Sequence, residues 1–249
     1  MTYGQFLIVF LMIPIAALAW TMRRNLSWRE GRWLALLMLI ALVYTTPWDN
    51  YLVASRVWWY DPALATGITL GWVPVEEYTF FLLQPLMTGL WVLFVNRRLP
   101  PPGSNPYPNR LRAIITTASG VIWAAGIAAL AMGGQQATYL SLIVVWAAPP
   151  IALQQAFGAD ILWGERRRVL WGLIPPTLYL SAADAIAIGA GTWTINPEQS
   201  LQIYLGGVLP LEEFVFFLVT NTLVVFAIVL LLSNESYRRL PRQAAAAAE

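Results

Sequence analysis

Two copies of one motif organise this chain: GWVPVEEYTFF at Gly71–Phe81 returns as GGVLPLEEFVFF at Gly206–Phe217. Each copy combines a glycine, a proline, two consecutive glutamates and two consecutive phenylalanines, and each lies near the start of a long apolar stretch. The matching positions are separated by 136 residues, the difference between 207 and 71. The sequence therefore predicts two related halves.

A second pattern precedes the motif in both halves. Asp-x8-Trp-x3-Pro occurs at Asp49–Pro62 and again at Asp184–Pro197, at an offset of 135. Because the offset changes from 135 to 136, the second half must carry one extra residue between Pro197 and Gly207. Agreement at so many positions with a single gap indicates an internal duplication.

The composition is that of a membrane protein. Of 249 residues, 58% are hydrophobic and 11% are charged, whereas soluble domains have about 45–50% apolar and about 25% charged residues. The 13 tryptophans suit anchoring at two membrane interfaces. Cysteine and histidine are absent, which excludes disulfides, cysteine nucleophiles, Ser-His-Asp catalysis and the usual zinc sites. We expect no metal, and acid–base chemistry must come mainly from carboxyl groups.

Seven stretches are long and apolar enough to cross a bilayer, which needs about 20 residues. They are Tyr3–Met22, Trp33–Val53, Ile68–Val95, Leu111–Met132, Ala137–Phe157, Val169–Ala190 and Ile203–Leu232. The repeat pairs helix 2 with 6 and helix 3 with 7, and by extension helix 1 with 5. Helix 4 is extra, so the two three-helix units have the same orientation. We predict an all-α integral membrane protein, in which two parallel three-helix repeats are joined by a linker helix.

This architecture divides the chain into three parts. Residues 1–98 form the first repeat, 99–136 a proline-rich linker (Leu99–Arg110) with the linker helix, and 137–249 the second repeat with a basic tail. Fourteen of the fifteen arginines lie in alternate connections or in that tail, and the other connections hold only Arg56. The positive-inside rule then predicts a multi-pass cell-membrane protein with its N-terminus outside and its C-terminus cytoplasmic. The arginines are topology signals, and we expect no nucleic-acid partner.

Six carboxyl groups lie inside or at the ends of apolar helices. They are Asp49, Glu76, Glu77, Asp184, Glu212 and Glu213. An acidic side chain at the bilayer centre costs about 2.5–3.5 kcal/mol on the insertion scale, so six of them indicate a function. We expect all six at similar depth in the outer half, where they could converge in one cavity. Since consecutive helical residues lie about 100° apart, only one glutamate of each pair can face a shared axis.

Aromatic rings accompany the glutamates at helical spacing. They are Phe80, Phe81, Phe216 and Phe217. Burial and a neighbouring carboxylate favour the protonated form of a carboxyl group, and ring faces stabilise positive charge. An acid, a base and aromatic walls in an apolar pocket are what proton-initiated carbocation chemistry on a hydrophobic polyene requires. The alternative is that the carboxyls bind arginine or tryptophan side chains and only fix helix packing.

Three motifs resemble the small-subunit type of lycopene cyclase, here in a fused form. These are PWDN at Pro47–Asn50, the two Pro-x-Glu-Glu-aromatic-x-Phe-Phe segments, and FLVTN at Phe217–Asn221. Residues 1–98 match one unit and 111–239 the other. The resemblance implies cyclisation of the ends of lycopene to β-ionone rings, through γ-carotene to β-carotene, without net redox change. We expect no cofactor, because Gly189-Ala-Gly191 lacks the third glycine of a dinucleotide fingerprint and follows a helix.

The resemblance also implies roles for individual residues. The six buried carboxyls named above carry over as catalytic, and the four phenylalanines as substrate-binding, together with Trp48, Asn50, Pro74 and Pro210. One departure separates the halves, since Pro47–Asn50 corresponds to Ala-Ala-Asp-Ala at Ala182–Ala185. We therefore hypothesise one composite site, in which a glutamate protonates the terminal C1=C2 bond and a carboxylate removes a proton from C6. Which glutamate is the acid and which is the base stays open.

Several alternatives remain open. A seven-helix proton-coupled transporter of small solutes would also use membrane carboxyls, although the cavity offers few groups for a polar solute. A related cyclase acting on C50 carotenoids, or one forming ε or γ rings, is a closer alternative. A retinal photoreceptor is excluded because the chain has no lysine. The expected partners are a carotenoid drawn from the bilayer, membrane lipid and other enzymes of the carotenoid pathway.

Overall fold

A computed structural model describes residues 1–100 and 110–239. Most of the predicted proline-rich linker lies outside these residues, as does the end of the basic tail. The described chain is mostly helical. Short strands occur only in the connections at one end of the helices.

Within residues 1–100 and 110–239, seven helices are long and apolar enough to cross a membrane, in agreement with the predicted number. They are α1 Tyr3–Met22, α2 Trp28–Ala54, α3 Val75–Asn96, α4 Arg110–Ala131, α5 Thr138–Gly164, α6 Arg166–Gly189 and α7 Leu211–Leu232. A short helix α8, Asn234–Arg239, follows. Within α1, Ile8–Met12 adopts a π-helical turn.

The predicted starts of the third and seventh helices are wrong. These helices begin at Val75 and Leu211, seven or eight residues later than Ile68 and Ile203. The preceding residues form hairpins instead of helix, because glycines with positive φ turn the chain there. A proline occupies the N-cap position of each helix.

The strands form three two-stranded sheets. β1 Trp58–Tyr60 pairs with β4 Trp193–Ile195, β2 Thr69–Leu70 with β3 Val73–Pro74, and β5 Tyr204–Leu205 with β6 Leu209–Pro210. All three pairs are antiparallel. Single 3₁₀ turns lie at Pro62–Leu64, Gln135–Ala137 and Pro197–Gln199. The β1–β4 pair joins the two halves of the chain, whereas the other two sheets are local hairpins.

The extra residue of the second half lies in a hairpin turn. The β2–β3 turn consists of Gly71 and Trp72, whereas the β5–β6 turn contains Gly206, Gly207 and Val208. Both glycines of the longer turn have positive φ, +58° and +78°, which glycine adopts without steric cost. The insertion therefore changes a turn at the surface and leaves the following helix in place.

Helices α3 and α7 lie at the centre of the bundle, and they contact each other as well as α6. Asn221 of α7 is fully buried between them. Its Oδ1 accepts hydrogen bonds from Gln84 at 2.7 Å and Thr88 at 2.6 Å, and its Nδ2 donates to Thr177 of α6 at 3.1 Å. This polar network connects three helices in an otherwise apolar core. Helix α4 packs mainly against α5 at the periphery.

The arginine-rich connections meet at the end of the bundle opposite the strands. Arg97 at the end of α3 binds Glu30 at the start of α2 at 2.8 Å. Arg239 of α8 binds Asp160 of α5 at 2.6 Å. The Asp160 carboxylate raises the pKa of the Arg239 guanidinium, because their hydrogen bond stabilises the charged form.

Candidate active site

The two aspartates of the repeated pattern are each held by a tryptophan. The indole Nε1 of Trp58 donates to Asp49 Oδ1 at 3.0 Å, and that of Trp193 donates to Asp184 Oδ1 at 2.9 Å. Each aspartate lies near the end of a helix, and the chain then turns into β1 or β4, which returns the indole to the carboxylate. This local path explains the Asp-x8-Trp spacing. Both aspartates are buried.

The second glutamate of each pair binds a tyrosine from another helix. The Tyr3 hydroxyl of α1 donates to Glu77 Oε2, and the Tyr139 hydroxyl of α5 donates to Glu213 Oε1 at 2.7 Å. Tyr3 and Tyr139 lie at the first turns of their helices and are buried. Each glutamate is therefore tied to a helix of its own half.

The first glutamate of each pair points elsewhere. Glu76 Oε1 accepts the backbone N–H of Thr66, and Glu212 Oε1 accepts that of Leu201, both at 2.6 Å. These bonds fix the loop that precedes each hairpin. The roughly 100° step between consecutive helical residues separates the two roles.

One cavity collects a carboxyl group from each of four elements. It encloses about 470 Å³ of space not occupied by atoms, which includes space open to the outside. Its carboxyls are Asp49, Glu77, Asp184 and Glu213, and they lie close enough to interact electrostatically. Both halves of the chain thus contribute to a single carboxyl cluster.

Aromatic side chains form the remaining wall. The rings of Phe80 and Phe217 meet edge to face with centroids 6.3 Å apart, and those of Phe216 and Phe217 do so at 5.4 Å. Phe6 packs against Phe80 at 6.4 Å, and Trp48 also lines the cavity. These rings lie beside the carboxyls, and the face of an aromatic ring stabilises a cation placed over it.

The structure therefore brings together eight of the predicted site residues and leaves six outside the cavity. The eight are Asp49, Glu77, Asp184, Glu213, Phe80, Phe216, Phe217 and Trp48. The six outside are Glu76, Glu212, Phe81, Asn50, Pro74 and Pro210.

The six outer residues support the loops and helix starts. Asn50 accepts the backbone N–H of Trp72 at 2.8 Å and donates to the Tyr78 hydroxyl at 2.9 Å. Phe81 packs edge to face on Tyr78 at 5.9 Å. The two prolines cap α3 and α7, so none of these side chains lines the cavity.

Two carboxylate oxygens of the cluster remain without a hydrogen-bond partner among the described residues. They are Oδ2 of Asp49 and Oδ2 of Asp184, both buried. A tryptophan satisfies the other oxygen of each aspartate. The Oε2 atoms of Glu76 and Glu212 are likewise buried without a partner among the described residues. Within residues 1–100 and 110–239, no set of three acidic side chains has an arrangement that could hold a metal ion.

The sequence matches the model of one protein family, described as lycopene cyclase, over residues 2–95 and 136–232. The chain belongs to the lycopene cyclase family. It is 40% identical over 233 residues to a lycopene beta-cyclase of Halobacterium salinarum, covering 92% of this chain and 95% of that protein. The resemblance inferred from the motifs is thereby confirmed.

Fungal proteins of the family are longer. A bifunctional lycopene cyclase/phytoene synthase of Aspergillus oryzae is 33% identical over 223 residues, covering 87% of this chain and 37% of that protein. A bifunctional protein of the same description from Sporisorium reilianum is 34% identical over 243 residues, covering 91% and 34% of the two chains. No solved structure matches this chain.

Four residues with polar groups that line the cavity were not predicted from the sequence. Trp58 and Trp193 belong to the repeated pattern but were not assigned to the site, and Tyr3 and Tyr139 were not singled out. The signal for the tyrosines was present, because 139 and 3 differ by 136, the same offset that relates Glu213 to Glu77. Extending the repeat search into the first and fifth helices would have found them.

Proposed function

We propose that this chain cyclises the acyclic ends of lycopene to β-ionone rings, through γ-carotene to β-carotene. The observation that carries the proposal is the cavity in which four carboxyls meet aromatic rings. Membership of the lycopene cyclase family supports the substrate, and the beta-cyclase relative supports the β ring over the ε and γ alternatives.

The hydrogen bonds favour different roles for the glutamates and the aspartates. A tyrosine hydroxyl both donates and accepts, so it can partner Glu77 or Glu213 in either protonation state. An indole only donates, so it favours the carboxylate form of Asp49 and Asp184. We therefore assign the proton donor to one of the two glutamates and proton acceptance to an indole-bound aspartate.

The reaction then proceeds without net change in atoms or electrons. The protonated glutamate transfers its proton to C2 of the terminal C1=C2 bond, which leaves a cation at C1. The C5=C6 double bond attacks C1, so the C1–C6 bond forms and the positive charge moves to C5. A carboxylate removes the C6 proton, which restores C5=C6 inside the new ring. The rings of Phe80, Phe216 and Phe217 stabilise the cationic intermediates.

Glu76 and Glu212 do not transfer protons in the proposed reaction, and their role is to hold loops in place. Their bonds to Thr66 and Leu201 hold the loops that carry β2–β3 and β5–β6. They thereby set the starts of α3 and α7, from which Glu77 and Glu213 reach the cavity. They are positioning residues.

The chain is proposed to lie in the cell membrane as two parallel repeats, residues 1–98 and 137–249, with 99–136 between them. The β1–β4 register supports this arrangement, since Trp58 pairs with Ile195 and Tyr60 with Trp193. If each residue is replaced by its counterpart at the repeat offset of 135, the first of these pairs becomes the second. A two-fold relation between the halves requires this. The arginine-rich end would be cytoplasmic, with the N-terminus outside.

The proposed partners follow from the chemistry of the site. Lycopene would reach the cavity from the bilayer lipid, because the substrate and the helix surfaces are both apolar. The fungal relatives named as bifunctional with phytoene synthase support a working association with other enzymes that handle carotenoids.

Expression in a bacterium that accumulates lycopene tests the function, with chromatography of the extracted pigments. We expect β-carotene with the native chain, and lycopene alone with the Glu77→Gln/Glu213→Gln variant at equal abundance in the membrane. Unchanged lycopene with the native chain in the membrane would overturn the proposal in favour of a transporter or a C50 substrate.

A further inference from the structure

A second apolar depression lies beside the carboxyl cavity, between α2 and α5. This α2–α5 groove is lined by Leu39, Ile40, Val43, Tyr44, Pro47, Trp48 and Trp146, and it encloses about 980 Å³ of non-atom space that is open to the outside. The α2 residues occupy one face of the helix. From Trp48 back to Leu39 the groove follows α2 for about 14 Å, at 1.5 Å per residue.

The groove and the cavity share a wall. Trp48 lines both of them, and its indole stacks on Trp146 with centroids 4.5 Å apart and planes 17° apart. The cavity residue Phe216 lies beside both indoles, with its centroid 6.0 Å from that of Trp48 and 6.3 Å from that of Trp146. Tyr44 extends the stack beyond Trp146 at 5.7 Å and 25°. A cluster of four nearly parallel rings therefore lies between the groove and the cavity.

Hydrogen bonds hold this stack in place. The Trp48 Nε1 donates to the backbone carbonyl of Leu142 at 3.2 Å, and the Tyr44 hydroxyl donates to that of Trp146 at 2.8 Å. Both bonds cross from α2 to α5. The polar atoms of Trp48 and Tyr44 are thus satisfied, whereas the buried Nε1 of Trp146 has no hydrogen-bond partner among the described residues.

We propose that the α2–α5 groove binds the polyene arm of the carotenoid whose end is being cyclised in the cavity. This inference rests on the proposed function. A long, flat, apolar chain gains dispersion contacts from stacked rings and from the aliphatic side chains of Leu39 and Val43. Because the groove leaves the cavity along α2, the arm runs from the outer half of the membrane towards its midplane, and its terminal double bonds reach the carboxyl cluster.

The second half keeps apolar residues at several groove positions, with Tyr179 at that of Tyr44, but it lacks the indole of Trp48. At the repeat offset of 135, Ala182 and Ala183 stand at the positions of Pro47 and Trp48. At the offset of 136, Phe10 stands at that of Trp146. The aromatic stack therefore exists on one side only, which gives the substrate one direction of approach to the shared cavity. Both ends of lycopene would be cyclised in turn through the same groove.

Blocking the groove tests the inference against a control that the repeat itself provides. Val43 lies in the groove and is 65% exposed, and Leu178 is its counterpart on α6 at 57% exposure. Val43→Trp fills the groove with an indole, whereas Leu178→Trp adds the same bulk to the opposite side. Neither change touches a carboxyl.

Two measurements use these variants. In vesicles supplied with lycopene, we expect Val43→Trp to raise the apparent KM about tenfold or more, and Leu178→Trp to leave it near the native value. In the Glu77→Gln/Glu213→Gln background, which cannot transfer the proton, we expect Val43→Trp to reduce the lycopene that co-purifies with the protein by a similar factor. If Val43→Trp fails to accumulate in the membrane, Leu39→Trp and its counterpart Ile174→Trp replace the pair.

The outcomes separate the two proposals. If the native chain converts lycopene but Val43→Trp and Leu178→Trp have equal KM values and retain equal amounts of lycopene, the proposal for the groove is wrong and the proposed function stands. A native chain that leaves lycopene unchanged would overturn the function. Even in that case, a reduced amount of co-purified lycopene in Val43→Trp alone would support a carotenoid-binding groove.

Discussion

The Tyr139 hydroxyl donates a hydrogen bond to Glu213 Oε1 over 2.7 Å, between the first turns of α5 and α7. Tyr3 and Glu77 repeat the contact in the other half. Both pairs lie in the same cavity. Each proposed proton donor is therefore oriented by a phenol group that comes from a neighbouring helix.

Removing either phenol hydroxyl should slow cyclisation without removing a carboxyl. A hydrogen bond between neutral groups is worth about 0.5–1.5 kcal/mol, so we expect Tyr139→Phe and Tyr3→Phe to reduce the rate of lycopene conversion about 2- to 10-fold. Initial rates in isolated membranes at matched protein abundance measure the effect. Tyr51→Phe, at an exposed position of α2, is the control. Equal rates in all three variants would contradict the orienting role.

The two members of each glutamate pair should respond differently to the same substitution. Glu77→Gln and Glu213→Gln remove a proton carrier from the cavity, and the variant that affects the acid should lose about 100-fold or more of the rate. Glu76→Gln and Glu212→Gln keep an oxygen that can accept the backbone N–H of Thr66 or Leu201, so they should retain most activity. Pigment chromatography of the four single variants decides the matter. A Glu76→Gln variant as inactive as both cavity variants would refute this division.

The Asp184–Trp193 pair should behave as one unit. We expect Asp184→Asn and Trp193→Phe to be non-additive in the free energy of unfolding in detergent, with an interaction energy of about 0.5–3 kcal/mol. The reason is that either change removes the same buried hydrogen bond. As a control, Trp193→Phe combined with the distant Asp160→Asn should be additive. Additivity in both combinations would mean that the indole contributes only by packing.

The Asn221 network should stabilise the bundle more than it assists chemistry. Asn221→Leu leaves Gln84, Thr88 and Thr177 without their shared partner in the core, and we expect a loss of about 1–3 kcal/mol in unfolding free energy. Thr222→Val is a suitable control, because the Thr222 hydroxyl bonds only to the Leu218 carbonyl of its own helix. An unchanged thermal midpoint for Asn221→Leu would show that the network is dispensable.

The proposed topology predicts which side of the membrane each connection faces. Since the chain contains no cysteine, a single introduced cysteine is labelled specifically. We expect Gln136→Cys, before α5, to react with a membrane-impermeant maleimide in intact cells. Leu26→Cys, between α1 and α2, should react only after the membrane is opened. The reverse pattern would place the N-terminus in the cytoplasm.

Hydrophobic length and the internal repeat predicted most of the fold. Both signals can be read along the sequence without knowledge of contacts between distant residues, so seven helices could be predicted from the sequence alone. The starts of α3 and α7 escaped prediction because residues such as Ile68 and Ile203 are as apolar as a helix interior. In the structure, the glycine turns and the prolines at Pro74 and Pro210 override that signal.

The candidate site was only partly predictable for a geometric reason. The cost of burying charge singles out all six carboxyls equally, but it does not indicate where each side chain points. Glu76 and Glu77 differ by one helical step, and the hairpin before α3 offers its backbone N–H to the first of them. Tyr3 carries no charge, and a tyrosine is common in membrane helices, so its burial has no such cost. Only the repeat offset could have indicated that it belongs to the site.

The antiparallel pairing of β1 with β4 joins two halves whose sequences can diverge from each other. Trp58 and Trp193, the strand residues that hold the aspartates, lie on either side of this pair, so neither half alone completes the chamber. Two identical subunits would have to carry every substitution twice, once at each equivalent position. In a single chain the stoichiometry is fixed at one to one, and each position can diverge independently of its twin. Trp48 and Ala183 illustrate such divergence: Trp48 lines the cavity, whereas its counterpart in the second half has only a methyl side chain.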